Sequence, residues 1–118
     1  MNEEERRQAE ELVTKFQKES EQLERMLLQK QALMLKKIEI EQAIKELEKS
    51  EVKEAYKIAG TIMIMKSKEE LLKELKDALE ETDLQVKILE RSEAKLRESL
   101  EESGKKLQKM LPELKEES

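Results

Sequence analysis

Side chains that could do chemistry are abundant in this chain but of few kinds. Acidic residues number 29 and basic residues 24, while histidine and cysteine are absent. Without imidazole or thiol there is no zinc site built on nitrogen or sulfur, no thiol nucleophile, and no Ser–His pair. The two glycines, Gly60 and Gly104, stand apart, so no glycine-rich loop can cradle a phosphate, and Gly104-Lys105-Lys106 lacks the rest of a P-loop. Of the 29 acidic residues 27 are glutamates spread along the chain, where their ordinary role is to solvate helix faces. The expectation is a protein that is not an enzyme and uses no metal or cofactor.

The charge pattern narrows the partners. The net charge is −5, with the two signs interleaved. A nucleic-acid binder should carry a basic stripe, because counterion release from phosphates drives its affinity. The nearest candidate, Lys36-Lys37, is followed closely by Glu39 and Glu41. No apolar run exceeds four residues, so neither a membrane span nor a signal peptide is expected. The absence of cysteine is compatible with a reducing cytosol, and a cytoplasmic location is the expectation.

The elements that carry these charges must be long helices. A chain of 118 residues suggests one domain, residues 1–118. It is 45% charged, holds a single proline, and has only Phe16 and Tyr56 as aromatic residues. Such a composition builds a compact globular core poorly and a coiled coil well. The first helix is expected over about residues 2–51, with Asn2 as its cap and Glu5 three residues on. Alternating steps of three and four from Ala9 collect Leu12, Phe16, Leu23, Met26, Leu33, Ile40, Ile44 and Leu47. Glu19, Lys30 and Lys37 interrupt this seam, and Val13, Leu27, Leu28, Met34, Leu35 and Ile38 widen the apolar stripe.

The second helix is expected over about residues 67–111. Ser67-Lys68-Glu69-Glu70 is a capping box, and Pro112 should end or kink the helix near Leu111. Its seam runs Leu72, Leu75, Leu79, Thr82, Val86, Leu89, Glu93, Leu96, Leu100, Ser103, Leu107, Met110 and Leu114. Ten of the thirteen positions are apolar, the pattern of a left-handed coiled coil.

Between the helices, residues 55–66 gather β-branched side chains around Gly60. They predict a β-hairpin with its turn near Ala59-Gly60, where glycine takes the positive φ a tight turn needs. Ile62 and Ile64 should then face one way and Met63 and Met65 the other. A helix–loop–helix bend with an apolar plug is the alternative. A hairpin at mid-chain folds the second helix back on the first, giving antiparallel arms of about 65–75 Å and bringing the chain termini together. An isolated two-stranded hairpin is marginal in water, and its edges carry unpaired backbone groups. The fold class is thus mainly α: an antiparallel two-helix coiled-coil hairpin with a central β-hairpin that oligomerises into a sheet or barrel.

The run Tyr56-Lys57-Ile58-Ala59-Gly60-Thr61-Ile62-Met63-Ile64, followed by Lys68-Glu69-Glu70-Leu71, resembles the hairpin and helix restart of prefoldin β-type subunits. Gln29-Lys30-Gln31, Glu39, Ala43-Ile44, Glu46-Leu47 and Leu89-Glu90-Arg91-Ser92-Glu93 match the family as well, so the resemblance covers about residues 23–111. It implies a hexamer in which hairpins of two α-type and four β-type subunits form a double β-barrel body from which coiled-coil arms hang. The arm tips would hold unfolded proteins without ATP and pass them to a group II chaperonin. By position, Tyr56, Ile58, Gly60, Ile62 and Ile64 would serve barrel assembly. Leu12, Val13 and Phe16, with Leu107, Met110, Leu111 and Leu114, would lie at the tip and offer apolar surface to clients.

The physical logic of such a tip stands apart from the resemblance. The last turns of a helical hairpin have neighbours on one side only, so seam residues there become transiently exposed patches. Several arms around one cavity would add avidity to weak individual contacts. The alternative is ordinary seam packing in a structural coiled coil, a dimerisation rod or adaptor with no client.

Overall fold

The computed structural model describes the backbone of residues 1–117 and the side chains of residues 1–110 and 112. The chain runs as α1 (Glu3–Lys49), β1 (Glu54–Ala59), β2 (Ile62–Ser67) and α2 (Lys68–Glu117). Two compact units are present. One is Lys30–Ile88, with the inner part of each helix and the hairpin; the other joins Met1–Gln29 to Leu89–Ser118. Among the described residues no helix is long and apolar enough to cross a membrane.

Both helix starts are set by local capping. The Asn2 side chain accepts a hydrogen bond from the Glu5 amide (2.8 Å), and Ser67 Oγ accepts one from the Glu70 amide (3.2 Å). Each satisfies a donor that the first turn would otherwise leave unpaired. At the other end of α1, Ser50 Oγ accepts the Val52 amide (3.2 Å) as the chain turns toward the strands.

The seam of α2 is as expected: every described position from Leu72 to Met110 in the three–four series is buried or half-buried. Thr82, fully buried, donates its hydroxyl to the Ala78 carbonyl (2.8 Å), so its polarity is satisfied within the helix. The α1 seam corrects the expectation in an instructive way. Glu19, Lys30 and Lys37 keep their places on the half-buried stripe, whereas Val13, Leu27, Leu28, Met34, Leu35 and Ile38 are exposed. The three–four register decides which side of α1 faces α2, and these six apolar side chains lie off it. Lysine tolerates a seam position because its methylene stem packs while its ammonium reaches out. Lys37 does so by meeting Asp83 of α2 at 3.0 Å.

Pro112 lies inside α2, which continues to Glu117, so the expected stop near Leu111 is not where the helix ends. Proline forfeits one amide donor, and here the following turn persists without it. The hairpin turn also differs slightly from expectation. Ala59 pairs with Ile62, which places the two-residue loop on Gly60-Thr61. Gly60 has φ of 61° and no other described residue has positive φ, the pattern of a type II′ turn.

Candidate assembly and binding surfaces

The hairpin has two chemically distinct faces. Its register pairs Tyr56 with Met65 and Ile58 with Met63, and places Lys57 opposite Ile64 and Ala55 opposite Lys66. Because side chains alternate along a strand and paired residues share a face, Tyr56, Ile58, Met63 and Met65 form one surface. Ala55, Lys57, Ala59, Ile62, Ile64 and Lys66 form the other. The first is bare: all four side chains are exposed, Ile58 at 74%. Ile62 and Ile64 are exposed on the second. The structure therefore divides the expected assembly residues between two faces, with Tyr56 and Ile58 on one and Ile62 and Ile64 on the other. Gly60 forms the turn. Met63 and Met65, which the sequence reading did not include with them, share the face of Tyr56 and Ile58, as alternation along β2 implies.

A cluster of charges ties the hairpin to α2. Glu74 receives Lys57 from β1 (3.2 Å) and Lys66 from β2, so one carboxylate holds both strands. The hydrogen bond from Lys66, then that from Lys57, keeps the Glu74 carboxyl below its usual range against the opposing effect of desolvation. The same hydrogen bond raises Lys66. Lys68 closes the base, its amide bonding to the Lys53 carbonyl (2.8 Å) and its ammonium to the Ser50 carbonyl (2.7 Å). Beside this cluster lies an apolar groove of about 530 Å3, lined by Ala43, Leu47, Tyr56, Leu71, Leu75 and Ala78 among others. The charge cluster escaped sequence reasoning because residues 57, 66 and 74 meet only once the hairpin folds onto α2.

The expected tip residues Leu12, Val13, Phe16, Leu107 and Met110 all belong to the unit formed by the two chain ends. Leu12, Phe16, Leu107 and Met110 are half-buried seam residues; Val13, at 36% exposure, is the open one. Phe16 lies against Gly104 beside a groove of about 450 Å3 that Leu107 also lines. The side chains of Leu111 and Leu114 lie outside the described residues. Among the described residues no group of acidic side chains is placed to hold a metal ion. The two grooves and the Lys57–Glu74–Lys66 cluster offer apolar contact framed by charge.

Comparison with known proteins agrees with this architecture. A family profile described as "Prefoldin subunit" matches residues 10–113. The chain is 34% identical over 105 residues to prefoldin subunit beta of Archaeoglobus fulgidus, covering 88% of this chain and 90% of that one. It is 35% identical over 105 residues to prefoldin subunit beta of Pyrobaculum aerophilum, covering 88% and 83%. The crystal structure of the prefoldin beta subunit from Thermococcus strain KS-1 superposes with a TM-score of 0.79 at 30% identity, over 88% of this chain and 92% of that one.

Proposed function

The chain belongs to the prefoldin subunit family, a family of chaperone subunits rather than enzymes, and on that footing we propose that it acts as a β-type subunit of an ATP-independent holdase. In this reading the hairpin joins those of an α-type subunit and further β copies in a hexameric barrel. The arm ends then hold unfolded proteins and deliver them to a group II chaperonin in the cytoplasm. One observation carries it: the bare hairpin faces lie in one compact unit, while Leu12, Val13, Phe16, Leu107 and Met110 gather in the other. Assembly and capture thus draw on separate parts of the chain. Tyr56, Ile58, Ile62 and Ile64, with Met63 and Met65, supply the area that strand pairing with other subunits would cover.

The experiment follows light scattering as guanidine-unfolded lysozyme is diluted without ATP, with this protein alone and assembled with an α-type subunit. Suppression of aggregation at near-stoichiometric assembly is expected. Trimming residues 1–16 and 107–118 should preserve the oligomer and abolish suppression. If the trimmed protein protects as well as the intact one, the tip assignment is wrong. If neither form of the intact protein protects, the chain is a coiled-coil scaffold.

A further inference from the structure

Large apolar side chains on α1 that lie outside the seam have a regular spacing of their own. Leu27, Leu28, Met34, Leu35 and Ile38 are between 39% and 66% exposed, and apolar residues held together in water mark a contact surface. Alternating steps of three and four from Glu21 collect Glu24, Leu28, Gln31, Leu35, Ile38, Gln42 and Lys45. All eight residues are exposed. They make a second seam on the far side of α1 from the first, with Leu27 and Met34 beside it. A three–four stripe is what one helix presents to another. The first seam already engages α2, so the second calls for a helix from another chain.

The order of residues along the stripe says which helix. A second copy of α1 laid antiparallel, with the two-fold axis at the level of Leu33, meets the stripe seam to seam. Leu28 then lies against Ile38, Gln31 against Leu35, Glu24 against Gln42 and Glu21 against Lys45, each pair occurring twice. Apolar layers fall at the centre, and opposite charges meet at both ends. A parallel copy in register would instead set Glu21, Glu24 and Lys45 each against its own kind, and like charges repel.

We propose that this outer stripe of α1 binds the same stripe of a second copy of the chain, antiparallel about Leu33. A strip about 36 Å long and about 10 Å wide covers less than the about 800 Å2 per partner of a standard interface. The contact is therefore weak and reversible. In the barrel reading above, the arms of one body hang the same way, so an antiparallel partner comes from a second body. The contact then links assemblies rather than subunits. That consequence rests on the barrel reading; the contact itself does not.

The test uses the full chain, alone and assembled with an α-type subunit, in sedimentation velocity from low to high micromolar concentration. The mean mass should rise with concentration. Leu35→Glu, at a site 62% exposed, should keep the helical signal and the barrel assembly and abolish the rise. Lys45→Glu should weaken association by about fivefold or more, since two opposite-charge pairs become repulsive. Adding Glu21→Lys to it should restore association. The chain has no cysteine, so a mixture of Gln31→Cys and Leu35→Cys chains should form the mixed disulfide faster than either variant pairs with itself. A mass independent of concentration in the intact protein overturns the proposal, as does a rise that survives Leu35→Glu. Failure of Glu21→Lys to rescue overturns the antiparallel alignment. If the intact protein does not self-associate while Leu35→Glu lowers its affinity for reduced, carboxymethylated α-lactalbumin, the stripe serves unfolded clients and the proposal fails. If no assembly forms with the α-type subunit, the barrel reading falls, and the chain alone still decides the contact.

Discussion

Glu74 shows how much of the hairpin's placement can depend on one side chain. Its carboxylate accepts Lys66 and Lys57, which share a face of the sheet but come from different strands. A carboxyl lowered in the folded state contributes stability that is fully present above its unfolded value and is lost as pH falls through the folded one. Relative to Glu74→Gln, the wild type should therefore unfold at higher urea at pH 7. The gap should close as pH falls below the ordinary carboxylate value of 4.5. Both lysines and Glu74 are partly exposed, so added salt should narrow the gap at pH 7 as well. An equal gap at pH 7 and at about pH 3 would show that the ion cluster does not hold the hairpin. Nothing in the spacing of 57, 66 and 74 announces this cluster. The caps at Asn2 and Ser67, by contrast, were legible because each bond spans three residues of sequence.

At the level of the helices, register outranks hydrophobicity. Ile38 and Ile40 are the same residue type two positions apart, yet Ile40 is 8% exposed and Ile38 50%. Ile40→Ala should cost about 2–4 kcal/mol through lost transfer energy and an unfilled seam. Ile38→Ala should cost less than about 1 kcal/mol. Urea denaturation of the two variants checks this, and equal costs would mean that the seam has been misplaced. The α2 seam was legible from its leucines because eight of the eleven fall on it. The α1 seam was half hidden: its charged members Glu19, Lys30 and Lys37 look like interruptions, and the leucines and methionine beside it look like core. Over many turns the summed three–four pattern fixes which side is inward, so a few charged stems are carried along and a few apolar side chains are left out. Pro112 does not end α2, since its lost hydrogen bond and its crowding of the preceding turn fall near the end of a helix of 50 residues.

For the molecule as a whole, the decisive surface is the one its own chain leaves uncovered. The bunching of β-branched residues around Gly60 revealed the hairpin. The turn, however, sits on Gly60-Thr61 rather than Ala59-Gly60, and a slip of that kind changes every cross-strand partner. Either turn puts Tyr56 and Ile58 on the face of Met63 and Met65, but only the observed register sets Tyr56 opposite Met65 and Ile58 opposite Met63. Ile58, the most exposed of the four, touches little within its own chain. Ile58→Asp should therefore leave the chain's own stability within about 0.5 kcal/mol of wild type, as for other surface changes. In an assembly that covers this face, the same substitution would bury a carboxylate without a partner, at a cost of several kcal/mol. Helical circular dichroism and melting should be unchanged while the native mass, measured with an α-type subunit present, falls to that of dissociated chains. A variant that keeps both its helical signal and the full oligomeric mass would move the assembly surface off this face. Attention would then turn to the Ile62 and Ile64 side, where Lys57 and Lys66 already reach back toward α2.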